Sequence, residues 1–120
     1  MSKADEFVSL VLLDRDLAHL AHWKTKSYAE HKALNEFYDE IVGLADGLAE
    51  MLQGEHLTLL PLSAIGGYQT PATSLALVTG LSKWIGDNRD KVCSSSECQN
   101  LIDGLLELCH STAYKLKFLK

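Results

Sequence analysis

Between two long helical patterns the chain carries a connection, Gly54–Gln69, rich in Leu, Gly and Pro. An irregular connection of that length inside a small domain is uncommon unless it has a task. Fully extended, at about 3.3 Å per residue, it reaches roughly 50 Å. A helix of about 25 residues is only about 37 Å long. The connection is therefore long enough to travel the whole length of a helix and bring the chain back to the end where that helix began. The helices on either side then run parallel, which short turns alone cannot achieve.

The rest of the chain reads as helix. Leu and Ala dominate, β-branched clusters are few, and breakers are widely spaced. Ser2 with Asp5 three residues on is a capping signal, and the first helix is predicted to run through Phe7, Leu10, Val11, Leu17 and Leu20 to about Lys26. Ser27 with Glu30 starts a second helix that ends near Gln53, with Gly54 as its stop. Thr70 before Pro71 predicts an N-cap with proline at the first helical position, and this third helix carries Leu75, Val78, Leu81, Trp84 and Ile85 to about Asp87. Ser94 with Glu97 caps a fourth helix that reaches the end of the sequence. One long crossover between helices two and three is the topology of a ferritin-like bundle. The expected fold class is thus all-α: a single ferritin-like four-helix-bundle domain over residues 1–120, without internal repeats.

Composition narrows the setting. Hydrophobic residues make up 47% and charged residues 22%, which excludes a disordered chain. Sixteen acids against eleven bases leave a formal charge of −5, a poor balance for contacting phosphates, so DNA binding is not expected. No stretch approaches the length of a membrane span, and Lys3, Asp5 and Glu6 before the run Phe7–Leu13 do not make a signal peptide. Cys93, Cys98 and Cys109 are odd in number and show no C-x-x-C spacing. They read as reduced thiols in a cytoplasmic protein.

Metal-ligating residue types gather in two places: His19, His22, His31, Asp39, Asp46 and Glu50 on helices one and two, and Asp103, Glu107 and His110 on helix four. Glu107-x-x-His110 has the spacing of in-bundle diiron proteins. At 100° per residue, however, Asp103, Glu107, His110 and Tyr114 lie opposite the apolar stripe Leu101, Leu105, Cys109, Thr112 and Leu116. Ligands of an in-bundle site must point inward, so these residues read as a solvated or interface face.

Helix two differs. Its core stripe is Leu34, Phe37, Ile41, Leu44, Leu48 and Leu52, while His31, Tyr38, Val42, Asp46 and Ala49 cluster on another side with Glu50 at the flank. A merely solvated face has no need of Tyr38 and Val42. Helix one is apolar almost all round, as a helix that buries two faces would be. Both observations predict a homo-oligomer in contact through helices one and two. Asp46 and Glu50 stand one turn apart and can converge on one cation. His22 and His31 can approach that cation from a second subunit. Mixed imidazole and carboxylate ligands suit Fe(II) or Zn(II).

His22-Trp23, Lys26, His31 and Asp46-x-x-Ala49-Glu50 followed by Gly54 resemble the core of the Dps mini-ferritins over roughly Leu17–Gly54. That resemblance implies a twelve-subunit shell built from dimers, which oxidises Fe(II) with peroxide or dioxygen and stores the ferric product. It implies His22 and His31 as ligands from one chain, Asp46 and Glu50 as carboxylates from its partner, and Trp23 close to the iron. The chain departs from the family in a shorter stretch between the two histidines and in lacking a lysine-rich N-terminal tail. Asn35 stands where a carboxylate is usual, with Asp39 or Glu36 as nearby substitutes. The reading is therefore a Dps-like ferroxidase with catalytic and metal-binding residues His22, His31, Asp46 and Glu50, iron as the metal and zinc as a substitute. The rival reading is a non-catalytic helical-bundle oligomer that uses the same face for assembly.

Overall fold

A computed structural model describes residues 2–64 and 70–120. Within them are four helices: α1 (Lys3–Lys24), α2 (Tyr28–His56), α3 (Ser74–Val92) and α4 (Ser96–Phe118). The predicted connection Gly54–Gln69 ends in residues 65–69, which lie outside the described residues.

Each helix starts where a side-chain oxygen can accept one of its free N–H groups. Ser2 and Asp5 form a complete capping box. Ser27 accepts from the Glu30 N–H, but Glu30 does not reach back to Ser27. Its carboxylate is taken by Thr25 Oγ1 at 2.7 Å and by Ser74 Oγ at 2.6 Å. This tertiary contact ties the start of α3 to the start of α2. Thr73, not Thr70, caps α3 by accepting from the Ala76 N–H, so Pro71 lies before the helix and Ser74 is its first residue. Likewise Ser95, not Ser94, caps α4 by accepting from the Cys98 N–H.

The predicted ends need correction in two helices. α2 passes through Gly54 and stops at Leu57, a left-handed C-cap at φ 50°. α3 continues beyond Asp87 to Val92. Its last turn is held by Arg89, which donates to Gln99 Oε1 (2.8 Å) and to Asp103 (2.6 Å), while Gln99 Nε2 donates to the carbonyls of Arg89 and Cys93.

Helix directions follow from these contacts. The tight turns make α1–α2 and α3–α4 antiparallel hairpins. Phe7 at the start of α1 packs edge-on against Trp84 late in α3, with ring centroids 5.5 Å apart. Lys115 at the end of α4 pairs with Glu36 early in α2 at 2.6 Å. α1 packs against α2 and α3, and α4 packs against the same two. α2 and α3 sit diagonally and run parallel, as the length of the connection predicts. The 45 Å long axis matches α2, whose 29 residues span about 43 Å at 1.5 Å each.

The core is one continuous cluster around Phe7, Leu34, Phe37, Ile41, Leu81, Ile85, Ile102 and Leu105. The predicted stripe of α2 is buried apart from the half-buried Leu44. That of α4 is centred slightly differently, on Cys98, Ile102, Leu105, Leu108, Cys109 and Thr112. After α2, Ser63 accepts at its carbonyl from Ser9 Oγ of α1 and Leu60 donates its N–H to Gln53 Oε1 of α2, fastening the first part of the connection to the bundle. No helix is long and apolar enough to cross a membrane among the described residues.

The cysteine reading is overturned. Cys93 and Cys98 form a disulfide, and only Cys109 is a free thiol. Cys93 caps α3 and Cys98 lies in the first turn of α4, so the hairpin places their Cα atoms 6.4 Å apart, within bridging range. The odd count reflected one pair plus one buried thiol, so the cysteines no longer argue for a reducing compartment.

Candidate metal centre at the α1–α2 turn

The three-residue turn after α1 is built from its own side chains. The Thr25 N–H closes α1 on the Ala21 carbonyl, and Thr25 Oγ1 accepts from the Ser27 N–H while donating to Glu30. This tightness brings the last turn of α1 against the first turn of α2, where His22 and His31 meet. Their rings stack with centroids 3.6 Å apart and planes 18° from parallel. His22 Nδ1 lies 2.7 Å from the His31 carbonyl oxygen, and His31 Nδ1 lies 2.9 Å from that of His22. A carbonyl only accepts, so both Nδ1 atoms carry the hydrogen, and in the neutral form of either ring the lone pair is on Nε2. A backbone-anchored Nδ1–H is the arrangement that orients a histidine for metal binding through its other nitrogen. His22 is only 7% exposed and His31 is half-buried, so the pair is rigid but at the edge of the bundle.

Aromatic rings extend the same surface. His19 stacks on Tyr38 at 4.0 Å and leans on Trp23 at 4.3 Å. Trp23 is 66% exposed. The Arg15 guanidinium lies 5.4 Å from the centre of the Tyr38 ring. Tyr38 Oη donates to Asn35 Oδ1 at 2.6 Å, and Asn35 Nδ2 donates to Asp39 at 3.2 Å. Tyr38, expected on an outer face, is buried beneath this layer.

Asp46 and Glu50 are exposed on α2. They lie 15 and 19 residues past His31, about 22 and 28 Å along the helix at 1.5 Å per residue. One chain therefore does not bring the two carboxylates to the two histidines. Among the described residues, no three His, Cys, Asp or Glu side chains converge within one chain to hold a metal ion. Glu36 does not substitute either. It faces α4, where the hydrogen bond and charge of Lys115 hold its carboxyl below the usual range. Asp103, Glu107 and His110 are exposed, and Asp103 is taken by Arg89.

One residue escaped the sequence reading. Asp14 on α1 is buried between α1 and α3, and burial pushes its carboxyl up to about 7. Its only trace in the sequence is a charge at a position whose neighbours one turn away, Leu10 and Leu17, are apolar.

Fold and site together define an all-helical four-helix bundle with a clasped histidine pair at one end and a carboxylate-bearing outer face on α2. A family of unknown function, DUF5856, matches residues 22–116, and the chain belongs to that family. An Enterobacteria phage T4 protein, described as an uncharacterized 14.6 kDa protein in the mobD-ri intergenic region, is 42% identical over 53 residues. That stretch is 44% of this chain and 41% of the phage protein, so the chain covers less than two thirds of its relative. No solved structure matches the chain.

Proposed function

We propose that the protein is a ferritin-like, Dps-like ferroxidase that oxidises Fe(II) at a site shared by two subunits and sequesters the product in a homo-oligomeric shell. The observation that carries this reading is the His22–His31 clasp. Two imidazoles are pre-oriented with Nε2 lone pairs free, and a metal held by them needs further ligands that one chain does not bring there.

A two-fold pairing of α2 against α2 supplies those ligands. In an antiparallel pair centred between Tyr38 and Asp39, residue 31 of one chain falls opposite residue 46 of the other. Asp46 and Glu50, one turn apart, then face the neighbouring chain's His31 and His22. A two-fold axis makes two such sites per dimer. Exposed Leu12, Leu20 and Trp23 on α1 supply apolar surface for the same contact. Parallel α2 and α3 with the long crossover also support a ferritin-like bundle. In the reaction, two Fe(II) ions each give one electron to peroxide. With two protons this yields two Fe(III) ions and two water molecules. Imidazoles suit the entering Fe(II), and carboxylates suit the Fe(III) product.

The exposed apolar side chains of α1 equally favour a non-catalytic bundle that only assembles. Stopped-flow oxidation of Fe(II) by peroxide separates the two. The ferroxidase reading expects rates above the uncatalysed reaction, lost in His31→Ala and in Asp46→Ala. Refolding the two inactive variants together should restore about a quarter of the wild-type rate, because half of the dimers then carry one intact site of two. Wild-type protein no faster than buffer leaves the assembly reading. A mass of 13.2 kDa by light scattering refutes both.

A further inference from the structure

We infer that the cavity between α1 and α3 lined by Asp14 binds a small primary amine, held as its ammonium ion against the Asp14 carboxylate. The site lies away from the histidine pair and does not depend on the iron reading.

The cavity measures about 160 Å³. Leu10 and Leu17, one turn to either side of Asp14, form one wall, and Leu77, Leu81 and Trp84 form the other. Asp14 is 6% exposed and makes no hydrogen bond to any described residue, yet its oxygens are not sealed in protein, because they border the cavity. Among the described residues, no lysine, arginine or histidine lines the space. The titratable group facing Asp14 from α4 is the Cys109 thiol, hydrogen-bonded to Ser82 of α3, which offers no positive charge.

A buried carboxyl without partners must either stay protonated or acquire a cation. Its surroundings choose the kind of cation. A metal ion needs several donor atoms, and here one carboxylate stands among hydrocarbon walls. An alkylammonium needs one carboxylate for its charge and apolar walls for its chain. The Trp84 ring already carries the Lys3 ammonium 5.9 Å from its centre, so what it adds to the cavity is apolar surface for the ligand's methylenes. The volume sets the size: a dry cavity of about 150 Å³ accommodates a benzene-sized molecule. The fitting ligand thus carries a short, uncharged aliphatic body. The entrance lies beside the exposed Ala76 and Gly80, and a Cβ built at Gly80 meets nothing within 4 Å.

The raised ionisation of Asp14 adds a signature. Because burial holds the carboxyl up at about 7, amine binding must compete with the proton below that pH. Affinity should fall about tenfold per pH unit below 7 and be level between 7 and 9.

The test is calorimetric titration of the intact protein with n-butylammonium at pH 8, with n-butanol as the neutral isostere. Saturable one-to-one binding is expected, at least tenfold weaker for n-butanol and for the Asp14→Asn variant. Gly80→Leu, which fills the entrance without removing the carboxylate, should also abolish it, with thermal melts confirming that both variants fold. The inference is overturned if n-butylammonium does not bind, if n-butanol binds as tightly, or if Asp14→Asn binds unchanged. It is also overturned if Nα-acetyl-lysine methylamide binds and the free amine does not, since the site would then take a protein side chain.

Discussion

His22 and His31 clasp each other through their main chains, each ring donating from Nδ1 to the other residue's carbonyl oxygen across the α1–α2 turn. The clasp fixes both side chains before any ligand arrives. It also joins two helices at a point where neither supplies regular hydrogen bonds to the other.

Both histidines are therefore expected in the Nδ1–H tautomer, the less common form for a free imidazole. Nitrogen-detected long-range NMR at pH 8 checks this directly, and Nε2–H signals from either ring would contradict the clasp. Removing one partner frees a carbonyl and unstacks a ring, so His22→Ala should lower stability by roughly 1–3 kcal/mol in urea titrations.

Asp14 ionises near 7 in the fold and near 3.8 in an unperturbed chain. Between those values the folded protein holds a proton that the unfolded chain has lost. Stability must then fall as pH rises through this window and level off above about 7. Asp14→Asn should remove that slope. It is expected to match the wild type near pH 4 and to be more stable by roughly 2–4 kcal/mol at pH 8. Parallel stability–pH curves for the two proteins would show that Asp14 does not carry the proton.

The Cys93–Cys98 bridge closes a loop with a sequence separation of 5. Loop-closure entropy for so short a ring is worth about 2 kcal/mol. Adding a reductant, or replacing both cysteines by serine, should lower unfolding stability by about that amount while leaving the helical circular dichroism in place.

Burial pushes the Cys109 thiol up to about 11, partly offset by its hydrogen bond to Ser82. Iodoacetamide at pH 8 is expected to leave Cys109 unmodified in the native protein and to label it in denaturant. Mass spectrometry of the treated protein reads both outcomes.

Helix starts were more legible in the sequence than helix stops. Ser2 and Ser27 cap where the local pattern places them, because a cap is satisfied within four residues. Thr70 failed as a cap because Thr73 offers the same chemistry and lets Ser74 reach Glu30, a partner 44 residues away. Gly54 is an apt stop by residue type, yet the chain turns at Leu57 in a conformation that leucine seldom adopts. The histidines were recognisable as ligand types, but their mutual clasp depends on the shape of the turn between them. Asp14 was invisible for a different reason. A helical wheel marks it only as a charge on an apolar side, and its meaning requires Leu77, Leu81 and Trp84 from another helix.

The alternation of helix directions has an electrostatic consequence. Every helix in the bundle packs against antiparallel neighbours, and only diagonal pairs are parallel. An α-helix carries roughly half a positive charge at its N-terminal pole and half a negative charge at its C-terminal pole. At each end of this bundle two poles of each sign alternate around the square and cancel. The backbone thus contributes no net axial field, and the pull on an approaching cation is set by side chains alone.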